Sequence, residues 1–584
     1  MKNDKLKGQI TYLIVGIVML VALFIWYKTK GFYYGINDDI TMHNIASGKI
    51  TGTPDGHIVF IKYTLGLVIS KLFTLFPMMD WYGIVLIGFC VGCLYLILCR
   101  VIFLTKNHKD KNLIRLIFFT IITVIFCELV VFFQFTLVAG VLSATAVFFL
   151  VTAEKKTLLF DFLLAILLLL FGVMVRTKVA YMMLPAFLLA LVIRIKDILL
   201  ENTERINDLS RLKSNIINNK KYLVKLGIIM FVGIISLIGI WKIEHKAYSD
   251  SQWSRYTSYK TARSLITDYF GWPDYENNRE LWDSIGISKE ERDCISMYGI
   301  LPNMNEEKIS VISNYARQKD YNEPISIYFS KGLELINNVI SSDNNRILMI
   351  IFVHVLFAVI ILKNMHYVRK TELSAFIITQ LLVLIYILYM GRFPDRVALV
   401  FELECTMLSL GCILNLCRRH VTNPNEIMNN RVFSNFEFVL ISIIILGIAY
   451  GRINDRVSDY RSQLTNYTNI CDYIDSKDII AVVTTGTTHA KKRFTVKEYG
   501  KTIKTVGTGG WSVYSPWEKT KYEQLGLQRE NNILMDDRIY LLSNSIEKID
   551  KLNTYFISNG SDGYYSTVDQ YTSLDGVVLY LVKW

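Results

Sequence analysis

Asp38 and Asp39 stand side by side in the stretch Phe32-Tyr33-Tyr34-Gly35-Ile36-Asn37-Asp38-Asp39, directly after the first apolar segment of the chain. Adjacent carboxylates point in different directions in a helix or a strand. One of the pair is therefore free to face a substrate while its neighbour is held by the protein or by a metal. The same stretch also reads as a solvated helix start, where Asn37 and the aspartates cap free backbone N–H groups. His43, Asp55, His57 and Lys62 follow in the same loop. Asn37, His43, His57 and Lys62 are candidate substrate-binding groups around the acidic pair.

A second group of charges occupies two short turns between apolar runs, Val175-Arg176-Thr177-Lys178-Val179 and Gly391-Arg392-Phe393-Pro394-Asp395-Arg396. Charge at the end of a membrane span is costly and marks a functional site by default. The forked guanidinium matches phosphate oxygens. Arg176, Lys178, Arg392 and Arg396 are thus candidates for holding a lipid-linked phosphate. Snorkelling toward headgroups, or pairing of Arg396 with Asp395 or Glu402, explains the same residues structurally. Glu128, Gln134, Glu402 and Glu404 read as structural.

The elements that must position these groups are apolar helices. Of the 584 residues 52% are hydrophobic, mean hydropathy is +0.33, and several runs reach the roughly 18 to 20 residues that cross a bilayer. The fold class is a polytopic α-helical membrane protein. The net charge of +12 gathers in short loops between apolar runs, which is a topology signal and argues against nucleic acid as a partner. Cys90 and Cys93 make a CxxC spacing inside a predicted span, without a second pair or nearby histidines, and read as packing residues. No metal-ligand set is legible.

Spans are expected near 9–27, 81–104, 113–131, 135–152, 158–174, 178–193, 226–243, 347–363, 373–390, 397–417 and 436–450. The apolar run 58–77, broken by Lys62 and Lys71, is expected not to cross. The basic loops then fall on one side, and the count is about 11 transmembrane helices with a cytoplasmic N-terminus. Residues 1–243 form an N-terminal membrane domain with a first extracytoplasmic loop at 28–80. Residues 244–345 form an extracytoplasmic helical insertion, 346–450 the C-terminal membrane helices, and 451–584 an extracytoplasmic α/β domain. In the last, a polar helix is expected near 456–475, strands near 479–483 and 538–542, and a hairpin from 554–558 and 576–581. The Gly507-Thr508-Gly509-Gly510-Trp511 turn lacks the strand and helix context of a nucleotide loop.

A first span, an extracytoplasmic loop with an acidic pair, a many-helix body and an extracytoplasmic C-terminal domain together resemble the GT-C class of integral-membrane glycosyltransferases. The residues that carry the resemblance are Asn37-Asp38-Asp39 and the run from His57 through Lys62-Tyr63-Thr64-Leu65-Gly66, with Thr64 where relatives often have proline. The resemblance implies a polyprenyl-phosphate-sugar donor, a glycan or lipid acceptor, and hexosyl or pentosyl transfer with inversion. Asp38 or Asp39 would act as general base, and the cations would stabilise the leaving phosphate. A divalent cation, Mg or Mn, at Asp38 and Asp39 is a feature of some members of the class. The many Ile, Lys and Asn residues point to a bacterial source, and so to a bacterial plasma membrane and cell-surface glycan assembly. The competing readings are a surface-polysaccharide polymerase or ligase, and a lipid-linked-saccharide flippase or transporter; against the last, no internal duplication is present.

Overall fold

The computed structural model describes residues 2–108, 110–199, 215–298, 303–321, 330, 332–334, 337, 370–389, 392–419, 435–477, 479–485, 489–497, 505–507, 509–527 and 530–584. The expected span at 347–363 lies outside these residues, as do Gly391 and Thr508.

The membrane body is built from α1 (Lys2–Thr29), α4 (Trp81–Thr105), α5 (Lys111–Val131), α6 (Phe135–Val151), α7 (Leu158–Leu199), α8 (Lys220–Ala247), α13 (Lys370–Tyr389), α14 (Asp395–Arg419) and the first, apolar part of α15 (Asn435–Asp475). Seven of the described helices are long and apolar enough to cross a membrane. Helix α6 is the axis, with all 17 of its residues buried. Its small residues admit close neighbours: a Cβ at Gly140 would sit 2.8 Å from a Val400 methyl. Helix α15 runs unbroken for 41 residues, so the span expected at 436–450 and the polar helix expected at 456–475 are one rod.

Helix α7 is two limbs. The helical geometry breaks at Arg176, whose backbone is extended (φ −157°, ψ 96°). Asp161 and Arg194 would lie about 50 Å apart on one straight helix. Instead Arg194 bonds the Val151 carbonyl at 2.7 Å, and Asp161 meets Arg100, which bonds the adjacent Thr152 carbonyl, also at 2.7 Å. The limbs therefore fold back, and the turn at 175–179 lies at the opposite end of the bundle. The Lys62 N–H donates to the Met174 carbonyl at 2.7 Å, fixing the first loop beside that turn.

Helix α3 (Tyr63–Leu75) spans only about 20 Å. It starts against Glu244 at the end of α8 and leads back to Asp80 at the start of α4. Both its ends belong to the same end of the bundle, so 58–77 does not run through it.

The insertion contributes α9 (Ser251–Leu265), α10 (Arg279–Ser284), α11 (Lys289–Tyr298) and α12 (Glu306–Tyr321). The C-terminal part contributes β3 (Ala481–Thr485), β5 (Ile539–Ser543), β6 (Ser566–Thr572) and β7 (Val578–Lys583), with helices α16 (Pro516–Gln524) and α17 (Ile546–Ser558). The sheet order is β3-β5-β7-β6, parallel between β3 and β5 and antiparallel elsewhere. Insertion and C-terminal part share one core, in which Trp282, Ile295 and Ile312 pack with Val483, Leu541 and Leu552.

One expectation is overturned here. Residues 554–558 are the last turns of α17, and the hairpin is β6 with β7. The aromatic run Tyr555-Phe556-Ile557 looks strand-like in isolation. Ile549, Leu552, Tyr555 and Phe556 nevertheless repeat at helical spacing and are the buried set.

Candidate active site

The acidic pair opens α2 (Asn37–Ala46), whose cap position is Ile36 with no side-chain cap bond. Two short strands fix its entry. Strand β1 (Phe32–Tyr34) pairs in parallel with β2 (Phe132–Phe133), at the end of α5, and antiparallel with β4 (Arg493–Phe494) from the C-terminal part. Tyr460 of α15 donates from its hydroxyl to the Tyr34 carbonyl at 2.7 Å. Three separate parts of the chain thus hold the strand that leads into α2.

Helical spacing then separates the two aspartates. Asp39 and His43, four residues apart, share the inward face, and both are fully buried. Asp39 Oδ1 accepts from the Tyr82 hydroxyl at 2.7 Å and from the Phe135 N–H at 3.2 Å, while Oδ2 has no hydrogen-bond partner among the described residues. Burial pushes the Asp39 carboxyl up to about 8, against the lowering effect of those hydrogen bonds. Asp39 is therefore largely a neutral acid at pH 7.

Asp38 points elsewhere. It is half-buried, and its Oδ1 accepts from the Trp511 indole N–H at 2.9 Å. Its charge reaches Arg176, which also lies in the field of Arg392 and Arg396. Arg176 rests on two nearly parallel rings, its guanidinium carbon 4.8 Å from the Phe60 centroid and 4.9 Å from that of Phe135. Arg392 pairs with Asp268 at 2.8 Å. Lys62 lies 3.4 Å from Glu244. Lys260, on α9, feels the charges of Arg176, Lys178 and Lys62; burial, with help from Arg176, pulls its ammonium down to about 8.

Arg176 thus lies within electrostatic reach of Asp38, Arg392 and Arg396, and Lys260 within reach of Arg176, Lys178 and Lys62. Asn37 is exposed at the rim. His43 and His57 have other company. His43 Nε2 is 2.9 Å from Lys492 Nζ and 3.5 Å from Asp80, in a buried network that the Tyr34 hydroxyl completes by donating to Asp80 at 2.7 Å. His57 Nδ1 is 2.7 Å from Asp55, its Nε2 is 3.1 Å from the Ala247 carbonyl, and its ring stacks on Trp253 with centroids 4.3 Å apart. Glu128 pairs with Arg456.

Trp511, Phe60 and Lys260 escaped the sequence reading. Phe60 sits in an apolar run, and Lys260 and Trp511 lie far along the chain from the acidic pair. The only local hint is the glycine-rich approach to Trp511, in which Gly510 has φ +87°.

A Mg or Mn ion takes several oxygen ligands; Asp39 Oδ1 is taken up by Tyr82 and Phe135, and Asp38 Oδ1 by Trp511. Among the described residues no three His, Cys, Asp or Glu side chains gather as a metal site.

No family model and no curated protein matches the sequence. Two solved membrane enzymes superpose loosely. One is the archaeal oligosaccharyltransferase AglB from Archaeoglobus fulgidus, in complex with an inhibitory peptide and a dolichol-phosphate, at TM-score 0.38 and 12% identity over 98% of this chain and 74% of that one. The other is ArnT from Cupriavidus metallidurans bound to undecaprenyl phosphate, at TM-score 0.35 and 10% identity over 98% and 97%. Superpositions this loose do not establish a shared fold.

Proposed function

We propose that this protein is a membrane glycosyltransferase of the GT-C kind, moving a hexosyl or pentosyl unit from a polyprenyl-phosphate-linked donor to a hydroxyl of a glycan or lipid acceptor. The observation that carries the reading is a half-exposed carboxylate, Asp38, within electrostatic reach of a guanidinium, Arg176, that has no ion pair or hydrogen bond among the described residues. Asp38 takes the proton of the acceptor hydroxyl. The acceptor oxygen forms its bond to the anomeric carbon as the bond from that carbon to the phosphate oxygen breaks. The electron pair leaves with the polyprenyl phosphate, whose growing charge is met by Arg176, with Lys178, Lys260 and Arg396 around it. Asp39 is the framework acid beneath, keeping the start of α2 against Tyr82 and Phe135.

Orientation follows from charge. Lys106, Lys111, Lys155, Lys156, Arg194, Lys220 and Lys221 lie at or beyond the far ends of their helices. The Tyr222 hydroxyl, for example, donates to the Lys155 carbonyl at 2.8 Å. By the positive-inside rule that end is cytoplasmic, and the site faces the outer side of a bacterial plasma membrane.

The test is Asp38→Asn in cells lacking the chromosomal copy, with labelled surface glycan as readout. The expected result is loss of transfer with unchanged membrane abundance. Full activity of Asp38→Asn would refute the site.

A further inference from the structure

Resting on the reading of Asp38 as the base, we propose that Trp511 is its positioning residue, so that the extramembrane C-terminal part completes the catalytic group. The indole N–H is the hydrogen-bond donor that the structure places on Asp38, at 2.9 Å. Trp511 is held at its ring by an aromatic contact and at its backbone by two hydrogen bonds. Its edge meets Phe60, with centroids 5.1 Å apart and planes at 64°. Its backbone carbonyl accepts from the Tyr256 hydroxyl at 2.9 Å, and the preceding Gly510 carbonyl accepts from the Tyr259 hydroxyl at 3.3 Å.

Phe60 is also one of the two rings that carry Arg176. A continuous chain of contacts therefore runs from base to phosphate anchor: Asp38, Trp511, Phe60, Arg176. The separation between the group that takes the proton and the group that meets the leaving phosphate is set by two aromatic rings, one from the first loop and one from the C-terminal part. A carboxylate with one oxygen pinned by a fixed donor keeps its other oxygen in a single direction. Misplacement of a reacting group by about 1 Å costs on the order of 100-fold in rate. The positive φ of Gly510 (+87°) turns the chain so that the indole can reach inward, a conformation glycine adopts without steric cost.

Two readouts in the full-length protein in lipid nanodiscs test the assignment, with Trp511→Phe retaining the ring and removing the N–H. First, in protein labelled with 15N at the indoles, the resonance missing from Trp511→Phe should move in Asp38→Asn and stay put in Lys178→Ala. Second, affinity for undecraprenyl phosphate, used as the probe, should stay within about twofold in Trp511→Phe, whereas glycan transfer in cells should fall about tenfold or more. Trp511→His, which restores a ring N–H donor, should recover part of the rate. The proposal is overturned if the indole resonance ignores Asp38→Asn, or if Trp511→Phe transfers at the normal rate while Asp38→Asn is dead. An active Asp38→Asn would instead overturn the underlying reading, and equal losses of probe affinity and rate would mark Trp511 as a packing residue only.

Discussion

At one end of the bundle the Arg100 guanidinium is fully engaged: Nε on the Thr152 hydroxyl at 3.0 Å, one terminal nitrogen on Asp161 at 3.3 Å, and the other on Asp161 at 2.8 Å and the Thr152 carbonyl at 2.7 Å. The Thr157 hydroxyl adds a bond to the same carboxylate at 2.6 Å. At the other end Arg176 has aromatic rings beneath it and cations around it. Both arginines end apolar helices, yet one end satisfies its charge internally and the other leaves it for something else. A charge that only holds the fold is paired, because an unpaired one in a low-dielectric setting is costly. The contrast separates structure from function within a single bundle.

The comparison can be broken most easily at the paired end. Arg100→Met should strand the buried Asp161 carboxylate and cost about 3–5 kcal/mol, read as a lower unfolding midpoint and reduced membrane abundance. Normal stability of that variant would show that the closed network holds nothing.

A smaller effect sharpens the difference between the two aspartates. Because the folded-state value for Asp39, about 8, lies above that of a free carboxyl, folding takes up a proton between roughly pH 4 and 8. This contribution is fully present below pH 4 and is lost as pH rises toward 8. Asp39→Asn mimics the neutral acid, with its carbonyl accepting from Tyr82 and Phe135. It should flatten that part of the stability–pH curve while changing stability below about pH 4 by less than about 1 kcal/mol. A variant that keeps the wild-type slope would place the titration elsewhere. Smallest of all, Lys62→Ala removes a partly exposed pair with Glu244 and should cost at most about 1 kcal/mol in unfolding experiments.

Much of this was legible in the sequence, and the rest has a physical reason for being hidden. The turn at 175–179 shows itself because two cations interrupt an apolar run that would otherwise be one very long helix. For 58–77 the sequence offers Lys62, Lys71 and loop charge, which favour a run that does not cross. The separate fates of Asp38 and Asp39 were open, since spacing says that they diverge and cannot say which one turns inward. His43 and His57 drew attention as polar groups near the pair, but their partners, Lys492 and Trp253, come from sequence positions hundreds of residues away. The same holds for Trp511 on Asp38. Long-range partners leave no periodicity to read, and the strand-like look of 554–558 shows the converse error, where local composition outweighs the helical spacing of the buried side chains.

The central claim is that the open end of the bundle holds a lipid phosphate beside Asp38. The most direct measurement is titration of undecaprenyl phosphate into the full-length protein in nanodiscs, comparing wild type with Arg176→Gln. The account predicts at least about tenfold weaker binding for the variant, the loss of a charge-assisted hydrogen bond, with an unfolding midpoint that does not fall, because Arg176 supports no internal ion pair among the described residues. Equal binding by both proteins, or none by wild type, would contradict it.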